Sequence, residues 1–134
     1  MGSVLPNPAA VKQDAARRDL ERLQGGWAFH HGKREAHLLF AGEHFTIRFK
    51  NGDIYVGTYA VDPTARPRAM DLAIREGPER FRGKTILAIY EFDGEHLLWC
   101  PAPPERGERL RAFPAADDLD HLLIIFRREK RPSP

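Results

Sequence analysis

The first part of the chain carries a helical pattern of apolar residues. Over residues 9–24, apolar positions recur at helix-like spacing among charged ones: Val11, Ala15, Leu20 and Leu23. This spacing predicts an amphipathic helix. Gly25 and Gly26 follow, and glycine ends helices readily because it adopts positive φ at little steric cost. We expect residues 1–8, before the helix, and residues 131–134 to be flexible tails.

The rest of the chain follows the alternating pattern of β-strands. Residues 44–49 place Phe45, Ile47 and Phe49 on one face, and the Asn-Gly pair at 51–52 is a strong hairpin signal. Further strands are predicted at residues 54–61, 70–75, 85–92, 96–100, 110–113 and 121–127. In all, the pattern predicts about nine short strands joined mainly by hairpin turns.

Strands without helices between them indicate antiparallel pairing. An antiparallel meander of this length removes its unpaired edges by closing into a barrel, and a two-layer sandwich is the competing arrangement. Sequential closure is the simpler solution because the sequence shows no crossover connection. We therefore predict a mainly β fold, an antiparallel up-and-down β-barrel of about eight to nine strands with one N-terminal α-helix, in a single domain over residues 9–130.

Composition and charge fit a soluble globular domain and argue against several classes of function. Of the 134 residues, 42% are hydrophobic and 30% are charged, and the net charge is only +2. Nucleic-acid binding needs clustered cations, and the basic run at residues 127–131 is interrupted by Glu129, as in a solvated chain end. We expect no nucleic-acid partner and no membrane span, because no apolar run is long enough to cross a bilayer.

Cysteine usage gives a weak indication of location. Cys100 is the single cysteine, so the chain cannot form an internal disulfide or a cysteine-ligated metal cluster. Together with the lack of a signal peptide, this favours the cytoplasm. The Met-Gly-Ser start at residues 1–3 is typical of an engineered N-terminus, so removal of a native leader, and with it the location, stays open.

Trp27 stands directly after the predicted helix, where a large aromatic side chain usually anchors other residues. A helix, then Gly25-x-Trp27, then up-and-down strands resembles the lipocalin arrangement, in which the tryptophan plugs the closed end of the barrel under a basic residue of the last strand. Here the last strand runs into Arg127 and Arg128, which face opposite sides, so only one can stack on the indole. Such a contact is worth about 0.5–2 kcal/mol. The alternative is a core tryptophan with both arginines in solvent.

Several longer motifs point to one family. They lie at residues 23–27 (LQGGW), 40–46 (FAGEHFT), 57–59 (GTY), 62–64 (DPT), 67–71 (PRAMD), 89–94 (IYEFDG) and 102–104 (APP). Together they resemble the small lipocalin-like domain family abundant in planctomycetes, a calycin-type barrel, over most of the chain from residue 19 to residue 130. The family carries no established activity or catalytic residues, so the resemblance implies a fold and not a function.

Candidate catalytic chemistry is sparse. The six histidines show no metal-ligand spacing, and the adjacent His30 and His31 face opposite sides of a strand. Cys100 lies in an apolar strand, which is typical of a buried structural thiol. Asp71 lies within a strand and needs a bonding partner if it faces inward. We assign no catalytic residue, no metal ligand and no cofactor.

Aromatic side chains and arginines provide candidates for ligand binding. Tyr55 and Tyr59 share one strand face. If this face points inward, it would help to form an apolar cavity with a few polar anchors, the usual composition of a ligand pocket. The residues predicted to line it are Arg48, Tyr55, Tyr59, Tyr90, Trp99 and Arg111. If the face points outward, the barrel is filled by apolar side chains instead, and a shift of one residue decides between the two.

Three functional hypotheses follow. The first is a non-catalytic protein that holds a small, largely apolar ligand in the barrel interior. The second is a filled barrel that binds a protein partner through the proline- and charge-rich loop at residues 101–109, because restricted exposed loops suit recognition. The third is an enzyme, or a haem or metal binder, that uses a histidine or Asp71 at the barrel mouth.

Overall fold

One α-helix and eight β-strands make up the fold. The computed structural model describes residues 8–115, 118 and 120–129. In chain order the elements are α1 (Pro8–Leu23), β1 (Gly25–Gly32), β2 (Ala36–Ala41), β3 (His44–Phe49), β4 (Ile54–Asp62), β5 (Arg68–Glu76), β6 (Thr85–Asp93), β7 (His96–Pro101) and β8 (Ile124–Arg128). Short 3₁₀ helices at Glu79–Phe81 and Pro104–Arg106 lie in the connections after β5 and β7.

The strands form a closed antiparallel barrel in which each strand pairs with its neighbours in the chain. β8 completes the ring by pairing with both β7 and β1, so that Arg128 lies opposite Trp27. The predicted up-and-down barrel behind one N-terminal helix is therefore confirmed, and the sandwich alternative is wrong. Among the described residues, no helix is long and apolar enough to cross a bilayer.

Besides shifts of one or two residues at the ends of β4, β5, β6 and β7, the elements differ from the prediction in three places. Residues 110–113 form no strand, because the pairing of β8 with β1 leaves no sheet edge for another one. The last strand begins at Ile124 rather than at residue 121. Pro8, placed in the tail by the prediction, begins the helix, where its missing N–H has no helical partner to lose. Residues 1–7 and 131–134, the other predicted tail residues, lie outside the described part of the chain.

The barrel interior is filled from alternate strand positions. Phe45, Ile47 and Phe49 of β3 belong to the buried core. Tyr55 and Tyr59 of β4 belong to the same core. Of the two arrangements that the sequence left open, the inward tyrosine face of β4 is therefore the one observed, and the apolar face of β3 points inward beside it.

Two glycines allow backbone geometry that other residues could not adopt. Gly25 joins α1 to β1 with φ of +105°, a region that side chains disfavour. Gly57 lies at a register shift between β4 and β5. A Cβ at Gly57 would lie 1.8 Å from the carbonyl oxygen of Ala73, so the close approach of these strands requires glycine.

The segment that follows β7 covers part of the outer surface of the barrel. Ile89 of β6 and Cys100 of β7 lie side by side on the outer face and are fully buried. Ala102 is buried next to them. Arg109 donates hydrogen bonds to backbone carbonyl oxygens of β5 and β6 at 3.1 and 2.8 Å. Residues 102–109 therefore form a layer of chain outside this part of the sheet, which we call the outer layer.

The helix and Trp27 close one end of the barrel. The Trp27 side chain is 1% exposed, and its Nε1 donates a hydrogen bond to the carbonyl oxygen of Leu23 at 2.8 Å. The guanidinium carbon of Arg128 lies 4.3 Å from the centroid of the indole ring, and the same group donates to the carbonyl oxygen of Gln24 at 3.1 Å. Arg127 points outward and is exposed. Arg128 is thus the arginine that lies across Trp27.

We expect Trp27→Ala to lower the free energy of unfolding by about 3–5 kcal/mol, because it removes one of the largest fully buried side chains. Arg128→Lys keeps the charge but loses the planar group, which we expect to cost about 1 kcal/mol. Arg127→Lys is the matched control, with an expected change of less than about 0.5 kcal/mol. Urea denaturation measures all three, and a wild-type midpoint for Trp27→Ala would contradict its role as a plug.

Candidate functional site

A buried polar network fastens the helix to the barrel at the closed end. Asp19 of α1 is only 6% exposed. Its carboxylate accepts hydrogen bonds from Arg68 Nη1 at 2.8 and 2.9 Å and from the Tyr90 hydroxyl at 2.6 Å. A buried carboxylate needs such partners, because an unpaired charge in an apolar interior is very costly. The network joins α1 to β5 and β6.

Tyr59 makes a second set of contacts at this end. Its hydroxyl donates to the carbonyl oxygen of Gly42 at 3.1 Å and accepts from Nε2 of Gln24 at 3.0 Å. Burial raises the pKa of Tyr59 to about 12. Burial, together with the neighbouring Asp19, raises the pKa of Tyr90 well above its ordinary value. Both hydroxyls therefore stay protonated at neutral pH and are occupied by contacts within the protein.

The opposite end of the barrel holds an open cavity of about 310 Å³. Its walls combine inward side chains of the barrel strands with residues from the connections after β1, β5 and β7. The aliphatic part of the lining consists of Ile47, Leu72, Ile74, Ile86 and Leu122. Such a lining favours the apolar part of a small molecule, because binding removes apolar surface from water.

Five side chains of this cavity form a continuous row, which we call the arginine–aromatic row. Phe49 and Phe81 each lie 5.7 Å from Tyr55, measured between ring centroids. The Arg34 guanidinium lies over Phe49 at 3.9 Å, and the Arg80 guanidinium lies over Phe81 at 4.6 Å. Two cations therefore flank the tyrosine from opposite ends of the row, each held by a cation–π contact.

Trp99 lines the same cavity from β7 and is 4% exposed. Within the described part of the chain, its Nε1 has no hydrogen-bond partner. Buried polar groups in proteins are nearly always paired, and an unsatisfied donor costs about 1–3 kcal/mol. Trp99 thus forms part of the cavity wall and carries a buried donor without a partner in the described part of the chain.

The four predicted aromatic ligand residues separate between the two ends of the barrel. Tyr55 and Trp99 line the open cavity. Tyr59 and Tyr90 lie at the closed end, where Gln24 and Asp19 occupy their hydroxyls. The prediction that all four point inward agrees with their burial, but the structure does not bring them together in one pocket.

The two predicted arginines lie outside the barrel. Arg48 falls between the inward residues Ile47 and Phe49, so strand alternation turns it outward, and it is exposed. Arg111 is exposed in the segment that follows β7. Neither arginine lines the cavity, so their predicted place in the interior is wrong.

The arginines that do line the cavity were missed because they lie in connections. Arg34 is in the turn after β1, and Arg80 belongs to the 3₁₀ helix after β5. The period-two pattern that places strand residues carries no information there. The only local signal was the neighbouring pair Arg80-Phe81 just after a Gly-Pro break, which marks an ordered turn rather than a tail.

The loop at residues 101–109, predicted to bind a protein partner, contributes a wall of the cavity. Residues 101–105 line it. Arg109, at the end of the loop, is fixed to the outer face of the barrel by an ion pair with Asp71. Pro103 and residues 105–108 are exposed. A partner-binding role for this loop stays a prediction.

The other candidate groups are bonded or unreactive. Asp71 is exposed on the outer face, where it pairs with Arg109. Burial raises the pKa of Cys100 to about 11, so its thiol is protonated and a poor nucleophile at neutral pH. His121 lies at the cavity mouth with its Nδ1 3.0 Å from the Asp118 carboxylate. In the described ranges, no three His, Cys, Asp or Glu side chains are grouped to hold a metal ion.

We expect Asp19→Ala to destabilise the protein by about 2–4 kcal/mol, because it leaves the partly buried Arg68 with only Glu91, at 3.6 Å, and the buried Tyr90 hydroxyl without its acceptor. Asp14→Ala on the same helix is the matched control. Asp14 contacts Arg17 at 3.6 Å with both side chains mostly exposed, so the expected loss is below about 1 kcal/mol. Urea denaturation compares the two, and equal midpoints would show that the buried network does not fasten the helix.

We also expect the stability to fall above pH 10. The unfolded chain loses the Tyr59 proton near the ordinary pKa of 10.0, whereas the folded protein keeps it up to about pH 12. Proton release from Tyr59 therefore stabilises the unfolded state over this interval. It lowers the free energy of unfolding by up to about 2–3 kcal/mol. Denaturation midpoints from pH 8 to 12 measure the fall. Tyr59→Phe should show a smaller one, and an identical fall in both proteins would contradict the assignment.

Comparison with protein-family models, with curated proteins and with solved structures finds no match for this chain. The barrel is therefore established by the structure itself, independently of any relative. The resemblance to the lipocalin-like family stays a prediction from the motifs.

Proposed function

We propose that this protein is a non-catalytic binder that holds a small, largely apolar ligand in the cavity at the open end of the barrel. One observation carries the proposal: a solvent-accessible cavity of about 310 Å³ with a mainly apolar lining. The Trp99 side chain belongs to this lining, and its buried Nε1, a donor without a partner among the described residues, becomes available to a ligand acceptor if the side chain shifts toward the cavity.

The size of the cavity restricts the ligand. Pockets for small molecules span about 300–1,000 Å³, so this one is at the lower end. It has room for about ten water molecules, taking 30 Å³ for each. A compound with one to three rings, or a short aliphatic chain, suits this space.

The other hypotheses have less support. Residues 101–105 of the predicted partner-binding loop form a wall of the cavity, which gives this part of the loop a role without a protein partner. Asp71 lies outside the barrel. His121, the histidine at the mouth, is already in contact with Asp118 and with Arg106, at 3.0 and 3.3 Å. Membership of a lipocalin-like family would agree with ligand binding and is part of the same proposal.

We expect the neutral fluorescent probe N-phenyl-1-naphthylamine to bind at this end of the barrel. Ile86 lines the cavity, so Ile86→Phe should fill part of it and weaken binding several-fold. Ile54→Phe makes the same change on the outer face of β4, where Ile54 is 47% exposed, and should leave binding unchanged. Titrations followed by probe fluorescence measure both variants.

The two tryptophans give an internal control for the position of the probe. Trp99 lines the cavity, whereas Trp27 lies under the helix at the other end. The probe-induced change in tryptophan emission should therefore be smaller in Trp99→Phe than in the wild-type protein, because the remaining Trp27 lies farther from the probe. No binding to the wild-type protein, or equal weakening by Ile86→Phe and Ile54→Phe, would count against the proposed function.

A further inference from the structure

The cavity offers hydrogen-bond donors that the protein leaves without acceptors. Arg80 lines it and stacks on Phe81, yet its guanidinium makes no hydrogen bond or ion pair with the described residues. The Tyr55 hydroxyl likewise makes no hydrogen bond within this part of the chain. Arg34 has only a loose contact with Asp53, at 3.8 Å. Stacking occupies the face of a guanidinium and leaves the N–H groups at its edge available.

These three donor residues line the same cavity. In the arginine–aromatic row, Arg34 and Arg80 flank Tyr55 with a single phenyl ring between each arginine and the tyrosine. Both guanidinium charges reach the phenol, because each acts to lower the pKa of Tyr55 against the raising effect of its burial. The row therefore places two cations and a phenol in the lining of one cavity.

The carboxylates of the cavity leave Arg80 unpaired. Asp53 opposes only Arg34, through a loose contact at 3.8 Å. Glu105 and Asp120 also line the cavity, from the segment after β7, but among the described residues neither forms an ion pair with Arg34 or Arg80. Arg80 is therefore a cation in the cavity wall without a carboxylate partner, which suits it to an anionic ligand.

We infer that the cavity recognises a compact organic acid, whose carboxylate is bound by Arg80, Arg34 and the Tyr55 hydroxyl while its apolar part packs among the aromatic and aliphatic side chains. This inference rests on the proposed function and specifies its ligand class. A guanidinium matches a carboxylate in shape and can donate two parallel hydrogen bonds to it. The aromatic rings that hold the arginines also form the apolar surface for the body of the ligand.

A pair of probes of equal size tests the inference. 2-Naphthoate carries a carboxylate on two fused rings, and 2-naphthamide replaces the carboxylate with a neutral amide. Isothermal titration calorimetry at low salt should show 2-naphthoate binding about tenfold tighter than 2-naphthamide, the difference expected from a charge-assisted contact. Added sodium chloride should weaken binding of the acid but not of the amide.

Arginine variants test which side chains cause the preference for the acid. Arg80→Gln should reduce the affinity for 2-naphthoate about tenfold and leave that for 2-naphthamide unchanged. Arg48→Gln is the matched control, because Arg48 is exposed on the outer face of the barrel, and it should alter neither affinity. Arg80 is itself exposed, so the variant is expected to fold, which circular dichroism checks. Arg34→Gln provides a second variant and should act in the same direction.

The possible outcomes distinguish a failure of acid recognition from a failure of ligand binding in the cavity. Equal affinities of the wild-type protein for the two probes would overturn recognition of the acid and leave an apolar binding site in place. A preference for the acid that survives both Arg80→Gln and Arg34→Gln would also overturn it. Binding of neither probe would overturn the proposed function together with this inference.

Discussion

Closure of the sheet between β8 and β1 is the constraint on which the rest of the structure depends. Once these strands pair, each strand residue faces either the interior or the surface, and no backbone edge remains for another chain. The register of the pairing also sets Arg128 directly opposite Trp27. Side chains of directly opposed residues lie on the same face, so the pairing that closes the barrel also brings the guanidinium to the indole.

Polar groups at the two ends of the closed barrel differ in whether they have partners within the described chain. At the helix end, the Asp19 carboxylate and the Tyr59 hydroxyl have partners within the chain. At the open end, Trp99 Nε1 and the Arg80 guanidinium have no acceptor among the described residues. Proteins commonly depart from full satisfaction of polar groups where they function. This contrast, more than the volume of the cavity, supports the open end as the proposed binding site.

The sequence was a good guide to the fold and a poor guide to the site, for physical reasons. Alternation along β3 and the hairpin signal after it define strands and turns, and a meander of such strands has few ways to remove its edges. The same alternation assigns residues to two faces without saying which is inside. For β3, the apolar residues Phe45, Ile47 and Phe49 should have been assigned to the interior. Strand alternation then places Arg48 on the outer face.

Local sequence patterns could not predict which residues from distant parts of the chain come together. Asp19 looks like any polar residue of an amphipathic helix, and only the docking of α1 onto the barrel gives it Arg68 as a partner. Arg34 and Arg80 meet at the cavity because the connections after β1 and β5 emerge at the same end of the barrel. Such groupings follow from topology and become visible only after the strand order is known.

The buried cysteine beneath the outer layer after β7 can be used to detect motion of this layer. Cys100 is the single thiol of the sequence and is fully buried on the outer face of the sheet, beside the residues that begin the cavity wall. A thiol reagent can reach it only when this layer lifts from the barrel or the protein unfolds. The rate at which the native protein is labelled therefore measures how often the layer opens, and slower labelling with a ligand present would mean that the occupied cavity holds the layer down.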